Sequence, residues 1–75
     1  MSKKYDYGLT FWHPDTDDEI CVVFEANNYF EAEDLIEPIQ LDGYIKGQIT
    51  FIEDRDKSYF NVSLKELAQH PAYNP

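Results

Sequence analysis

Apolar and polar side chains alternate over Tyr5–Trp12, with Tyr5, Tyr7, Leu9 and Phe11 on one side and Asp6, Gly8, Thr10 and Trp12 on the other. That two-residue period predicts a strand with one buried face, and it leaves Trp12 on the less apolar side. His13-Pro14-Asp15-Thr16-Asp17-Asp18 follows. Its proline and its Asp side chains, which bond readily to nearby backbone, predict a turn. Glu19–Ala26 then resumes the alternation, with Ile20, Val22, Phe24 and Ala26 on one side and Glu19, Cys21, Val23 and Glu25 on the other. The two runs predict a hairpin.

Beyond the hairpin the period changes. Asn28 stands three residues before Glu31, the spacing of a capping box, so a helix is expected to start there. At 100° per residue, Tyr29, Ala32, Leu35, Ile36 and Ile39 fall on one side and are assigned to the sheet. Phe30, Glu33, Asp34 and Glu37 fall opposite. Pro38 would clash with the preceding turn, which limits the regular helix to residues 29–37, with a distorted turn through Gln40 and a release at Asp42-Gly43.

Residues 44–53 read as a third strand, with Ile45, Gly47, Ile49 and Phe51 inward and Tyr44, Lys46, Gln48, Thr50 and Ile52 opposite. Gly47 weakens its interior and points to a bulge or a close approach. A charged turn over residues 53–57 leads to a fourth strand carrying Phe60, Val62 and Leu64, which predicts a second hairpin. Ser63 and Glu66 form another capping-box pair, so a short C-terminal helix containing Leu64, Leu67 and Ala68 should end before Pro71. The expectation is a single α+β domain over residues 1–75, with residues 1–4 flexible. Its order is ββαββα: a four-stranded, mainly antiparallel sheet, a central helix on one face and a short C-terminal helix. The other face would expose Trp12, Val23, Tyr44, Ile52 and Tyr59 among acids and amides, a mixture suited to contact, with cover of part of it by the C-terminal segment or a symmetry mate as the alternative.

Composition narrows the function classes. Hydrophobic residues make up 43% of the 75-residue chain, enough to assemble a core. The single Cys21 has no disulfide partner and no companion thiol for a structural zinc site. Residues 1–12 contain no continuous apolar segment followed by a cleavage site, and no 18-residue apolar run exists for a membrane span, so the expected location is cytoplasmic. Asn61-Val62-Ser63 matches a glycosylation sequon but is read as incidental without an export signal. His13 and His70 lie in predicted turns and have no local arrangement with Cys21 or a serine that marks nucleophilic catalysis. No glycine-rich phosphate cradle is present. Asp15, Asp17, Asp18 and Glu19 lack the glycine and distal glutamate of a calcium loop and read as a solvated turn. The chain is therefore expected to be neither an enzyme nor a holder of cofactor or metal.

Charge carries the functional expectation. Six Lys or Arg residues against fifteen Asp or Glu give a net charge of −9, which disfavours nucleic acid and anionic membrane as direct partners. Residues 5–45 contain no Lys or Arg and eleven acids: Asp6, Asp15, Asp17, Asp18, Glu19, Glu25, Glu31, Glu33, Asp34, Glu37 and Asp42. The helix dipole accounts for Glu31, Glu33 and Asp34 but not for Glu37 or for Phe30 among them. The expected function is a small protein-binding inhibitor or adaptor docking on a basic surface. Asp17, Glu19, Glu31, Asp34 and Glu37 would steer the encounter, and Phe30, Trp12 and Tyr44 would supply apolar contact. In size and charge alone the chain resembles the acidic nucleic-acid mimics encoded by phages and mobile elements. That resemblance implies a nucleic-acid-binding host protein as partner, such as a restriction or CRISPR component. The alternative is a homo-oligomer, such as a homodimer, in which Tyr44, Ile52 and Tyr59 pair across a two-fold axis or an edge strand continues the sheet into another copy, and acidity serves solubility.

Overall fold

The computed structural model describes residues 3–74. Strands β1 (Tyr5–Trp12) and β2 (Glu19–Ala26) pair antiparallel along their whole length, from Tyr5 opposite Ala26 to Trp12 opposite Glu19. Their turn is closed by backbone bonds from the His13 N–H to the Asp18 carbonyl (2.9 Å) and from the Asp17 N–H to the His13 carbonyl (2.8 Å). Asp17 adopts φ 59°, a left-handed conformation that a short polar side chain tolerates. Helix α1 (Tyr29–Ile36) follows, then the short strands β3 (Gln40–Leu41), β4 (Ile45–Lys46) and β5 (Thr50–Phe51). A 3-10 turn at Asp54–Asp56, helix α2 (Leu64–Leu67) and strand β6 (Tyr73–Asn74) complete the chain. The fold is α+β, with an antiparallel sheet and two helices. Lys3 and Lys4 of the tail expected over residues 1–4 are exposed, and residues 1 and 2 lie outside the described part.

One face of the hairpin carries the main core. Tyr7, Leu9 and Phe11 of β1 and Ile20, Val22, Phe24 and Ala26 of β2 pack with Ala32 and Ile36 of α1, Leu41, and Leu67 of α2. Both helices thus bury their apolar sides against the same cluster. The apolar stripe of α1 is narrower than its periodicity predicts: Ala32 and Ile36 are buried, while Tyr29 and Leu35 remain exposed. Eight residues give just over two turns, so few positions on one helix side can face the sheet at once.

The third strand forms in two pieces along β1, and the break resets which way its side chains point. Phe11 faces Lys46 and Trp12 faces Ile45. An unbroken antiparallel register would then set Tyr7 opposite Thr50, but Tyr7 faces Phe51. One extra residue is therefore inserted between β4 and β5, which is a bulge. It centres on Gly47, whose N–H donates to the Thr10 carbonyl at 2.8 Å and where an added Cβ would stand 2.7 Å from that oxygen. The shift corrects the expected facing of residues 44–46. Lys46 shares the core face with Phe11, Tyr44 packs against the core, and Ile45 shares the second face with Trp12.

The second predicted hairpin is absent from the described residues. Val62 makes an isolated parallel bridge to Val22 on the far side of β2, with the Val23 N–H donating to the Val62 carbonyl (2.8 Å) and the Val62 N–H to the Cys21 carbonyl (3.1 Å). Parallel neighbours need a crossover rather than a tight turn, and residues 52–61 provide it by passing over the second sheet face. Ile52, only 3% exposed, and Phe60 sit above Gly8, where the missing side chain leaves room. Lys57 fastens the strap to Asp6 at 3.0 Å. β6 closes the other face by pairing with β3, Leu41 opposite Tyr73. Among the described residues no helix is long and apolar enough to cross a membrane.

Candidate partner-binding surfaces

Helix α1 begins where the Asn28 side chain satisfies one of its free donors and Glu31 ties down the residue before the cap. Asn28, extended at φ −158°, accepts the Glu31 N–H at 2.8 Å, and the Glu31 carboxylate takes the Asn27 side-chain amide at 2.9 Å and the Asn27 N–H at 3.4 Å. Glu31 is thereby committed to the cap, half-buried, and is turned away from the outward side. Phe30, Glu33, Asp34 and Glu37 stand at positions i, i+3, i+4 and i+7, so they form one continuous stripe. All four are exposed, and Phe30 is 78% exposed.

No basic residue lies in the last turn of α1. Its orphan carbonyls are met instead by Lys46 of β4, whose ammonium donates to the Ile36 carbonyl at 3.1 Å and the Glu37 carbonyl at 3.0 Å. The Lys46 cation is thus spent on backbone. The ion pairs among the described residues are Arg55 with Glu53 and Lys57 with Asp6 and Asp54. Of the eleven acids in residues 5–45, Asp6 alone takes part in one of them. Asp6 and Asp54 hold the Lys57 ammonium above the usual lysine range through hydrogen bonds and charge.

A second group of candidate residues meets on the other side of the sheet. Trp12 lies between Glu19 on β2 and Ile45 on β4, and its indole Nε1–H donates to Asp17 Oδ1 at 3.4 Å. The Tyr59 hydroxyl, reaching from the strap, donates to Glu19 Oε2 at 3.3 Å. Cys21 and Glu19 at that hydroxyl push the Tyr59 phenol up from its ordinary value. Trp12, Ile45 and Tyr59 are 39%, 53% and 59% exposed. Trp12 and Phe30 therefore do not share a patch, because the sheet and the core beneath α1 separate them.

Tyr44 belongs to neither surface. It packs against the core between the rings of His13 (4.9 Å, edge-on) and His70 (5.7 Å), and its hydroxyl donates to Asp18 Oδ2 at 2.6 Å. The hydrogen bond to that carboxylate, with burial and the carboxylate's charge, raises the Tyr44 phenol above its ordinary range. Both imidazoles accept a backbone N–H at Nδ1, His13 from Asp15 and His70 from Ala72, which assigns their protons to Nε2. Cys21 accepts weakly from the Thr10 hydroxyl at 3.8 Å on the second face. Among the described residues no three His, Cys, Asp or Glu side chains converge as a metal site.

Two concavities fall short of the ~300–1,000 Å³ usual for small-molecule sites. One, of about 240 Å³, is lined by Phe11, Gln40, Leu41, Tyr44 and Lys46. The other, of about 290 Å³, lies between β2 and the start of α2. The expected open face also needs revision: Ile52 is buried between the strap and Gly8, Val23 is half-buried and Tyr44 is on the core side, leaving Trp12 and Tyr59 exposed. Sequence reasoning placed Ile45 inward and gave no role to Lys46, because it ran one period through the bulge. Comparison with protein-family models, curated proteins and solved structures gave no match.

Proposed function

We propose that the chain is a small acidic protein-binding inhibitor or adaptor that lays α1 on a basic protein surface of the kind that nucleic-acid-binding proteins present. The observation that carries this reading is Phe30, 78% exposed and aligned with Glu33, Asp34 and Glu37, none of which has an ion-pair partner among the described residues. Phe30 is the anchor, since burying such a side chain yields roughly 1.5–3 kcal/mol. The carboxylates steer a cationic partner and repel nucleic acid, so the chain competes for the partner's nucleic-acid site as a mimic of the phosphate backbone.

Affinity capture from native cytosol at moderate salt, followed by competition with duplex DNA, tests this function. The expected result is a nucleic-acid-binding protein whose DNA association is blocked. Surface plasmon resonance with that partner should show Phe30→Ala raising the dissociation rate by about tenfold or more. Asp34→Lys with Glu37→Lys should cripple association at low salt. An unchanged dissociation rate for Phe30→Ala, or recovery of only the chain itself, overturns the reading. The oligomer alternative loses part of its basis: Ile52 is buried and Tyr44 is turned to the core. The bulged edge of β4 and β5 is also a poor template for a further strand.

A further inference from the structure

The strap over residues 52–61 covers the second sheet face only in part. It seals Gly8 with Ile52 and Phe60 and leaves the hairpin end, where Ile45, Trp12 and Tyr59 are exposed. The rim of this face limits the chemistry of any partner it would fit. Glu19 lies directly across from Trp12, and Asp17 is held at the indole N–H. Neither carboxylate has an ion-pair partner among the described residues. A purely apolar partner would strip water from both carboxylates without compensation. A second copy of the chain would bring the same negative rim against itself.

We propose that this end of the face is a docking surface for an arginine side chain of a partner protein, with the guanidinium plane on the Trp12 and Tyr59 rings and its N–H edge on Glu19 and Asp17. Arginine fits where lysine does not, because its flat, weakly hydrated cation stacks on an aromatic ring while its fork meets carboxylates side-on. Two existing contacts prepare the surface. The Trp12 bond to Asp17 fixes the indole, and the Tyr59 bond to Glu19 uses Oε2 and leaves Oε1 for the ligand. The surface lies across the sheet from α1 and does not depend on the reading of that helix.

Trp12 is the chain's single tryptophan, so its fluorescence reports on this surface directly. The probes are an end-blocked hexapeptide of alternating glycine and arginine and the same peptide with lysine, titrated at moderate salt. A saturable change in Trp12 emission is expected, with the arginine peptide binding about threefold or more tighter than the lysine peptide. Asp17→Asn with Glu19→Gln keeps both internal hydrogen-bond acceptors and removes only charge, and it should weaken arginine binding by about tenfold. Glu25→Gln with Asp42→Asn changes net charge equally at residues outside either surface and should leave affinity within about twofold. Equal affinity for the two peptides, or equal weakening by the two double variants, would reduce the effect to net-charge attraction and overturn the proposal. The peptide comparison on the unaltered chain stands even if a variant fails to fold. Failure here leaves α1 untouched, since the Phe30→Ala dissociation rate tests that surface separately.

Discussion

Gly8 decides how the second face is closed. A Cβ there would meet the Val22 carbonyl oxygen at 2.7 Å and the Ile52 and Phe60 side chains at 2.9 Å each. The side chains could yield, but the backbone oxygen is fixed by the β1–β2 ladder. Gly8→Ala should therefore lower stability by about 1–3 kcal/mol, read as an earlier midpoint in urea denaturation. An unchanged midpoint would mean that the strap is not seated on this glycine. The sequence displayed Gly8 only as one more position on a polar face, because close approach by a segment more than forty residues away leaves no local mark. Gly47 was legible, since a glycine inside an otherwise regular strand is itself the signal. Phe30 was legible too, by its angle on the helix. Lys46 was not, because its role depends on the phase set by the bulge.

The elements most readable in advance were those with a full period and a cap of their own. The first hairpin and the start of α1 follow alternation and the Asn28–Glu31 spacing, and both form with the expected contacts. Asn28→Ala removes the acceptor of the Glu31 N–H and should cost about 1 kcal/mol, with reduced helical signal in far-ultraviolet circular dichroism. An unchanged signal and midpoint would mean that the Glu31 contacts to Asn27 hold the helix start unaided. The second half of the chain resisted reading for a different reason. Its strands are two residues long, too short for any period to show, and the parallel bridge at Val62 is a long-range choice made by the vacant edge of β2. Ser63 still caps as its spacing predicts, accepting the Glu66 N–H at 3.1 Å.

Charge is a property of the whole molecule. The chain carries a net charge of −9, and its ion pairs among the described residues are confined to Asp6 and the strap. The remaining carboxylates of residues 5–45 repel one another across a molecule that has little positive charge nearby. Screening relieves that repulsion more than it weakens three pairs of which only the Lys57–Asp6 one is partly buried. The thermal midpoint should therefore rise by several degrees, on the order of 1 kcal/mol, between about 0.01 and 0.3 M sodium chloride. A falling midpoint would show that attraction, not repulsion, dominates the surface.

The strap also sets the order in which the molecule comes apart. Its hold on the sheet includes Ile52 and Phe60 over Gly8, the Ile52 N–H bond to the Asp6 carbonyl (2.9 Å), the Lys57 contact to Asp6 and the Tyr59 hydroxyl, and these residues lie outside the cluster beneath α1 and α2. That band can lift while the helices stay docked, a sub-global opening at lower free energy than complete unfolding. Such an excursion bares the thiol of Cys21 and unroofs the middle of the sheet, so chemical attack and proteolysis enter from that side first.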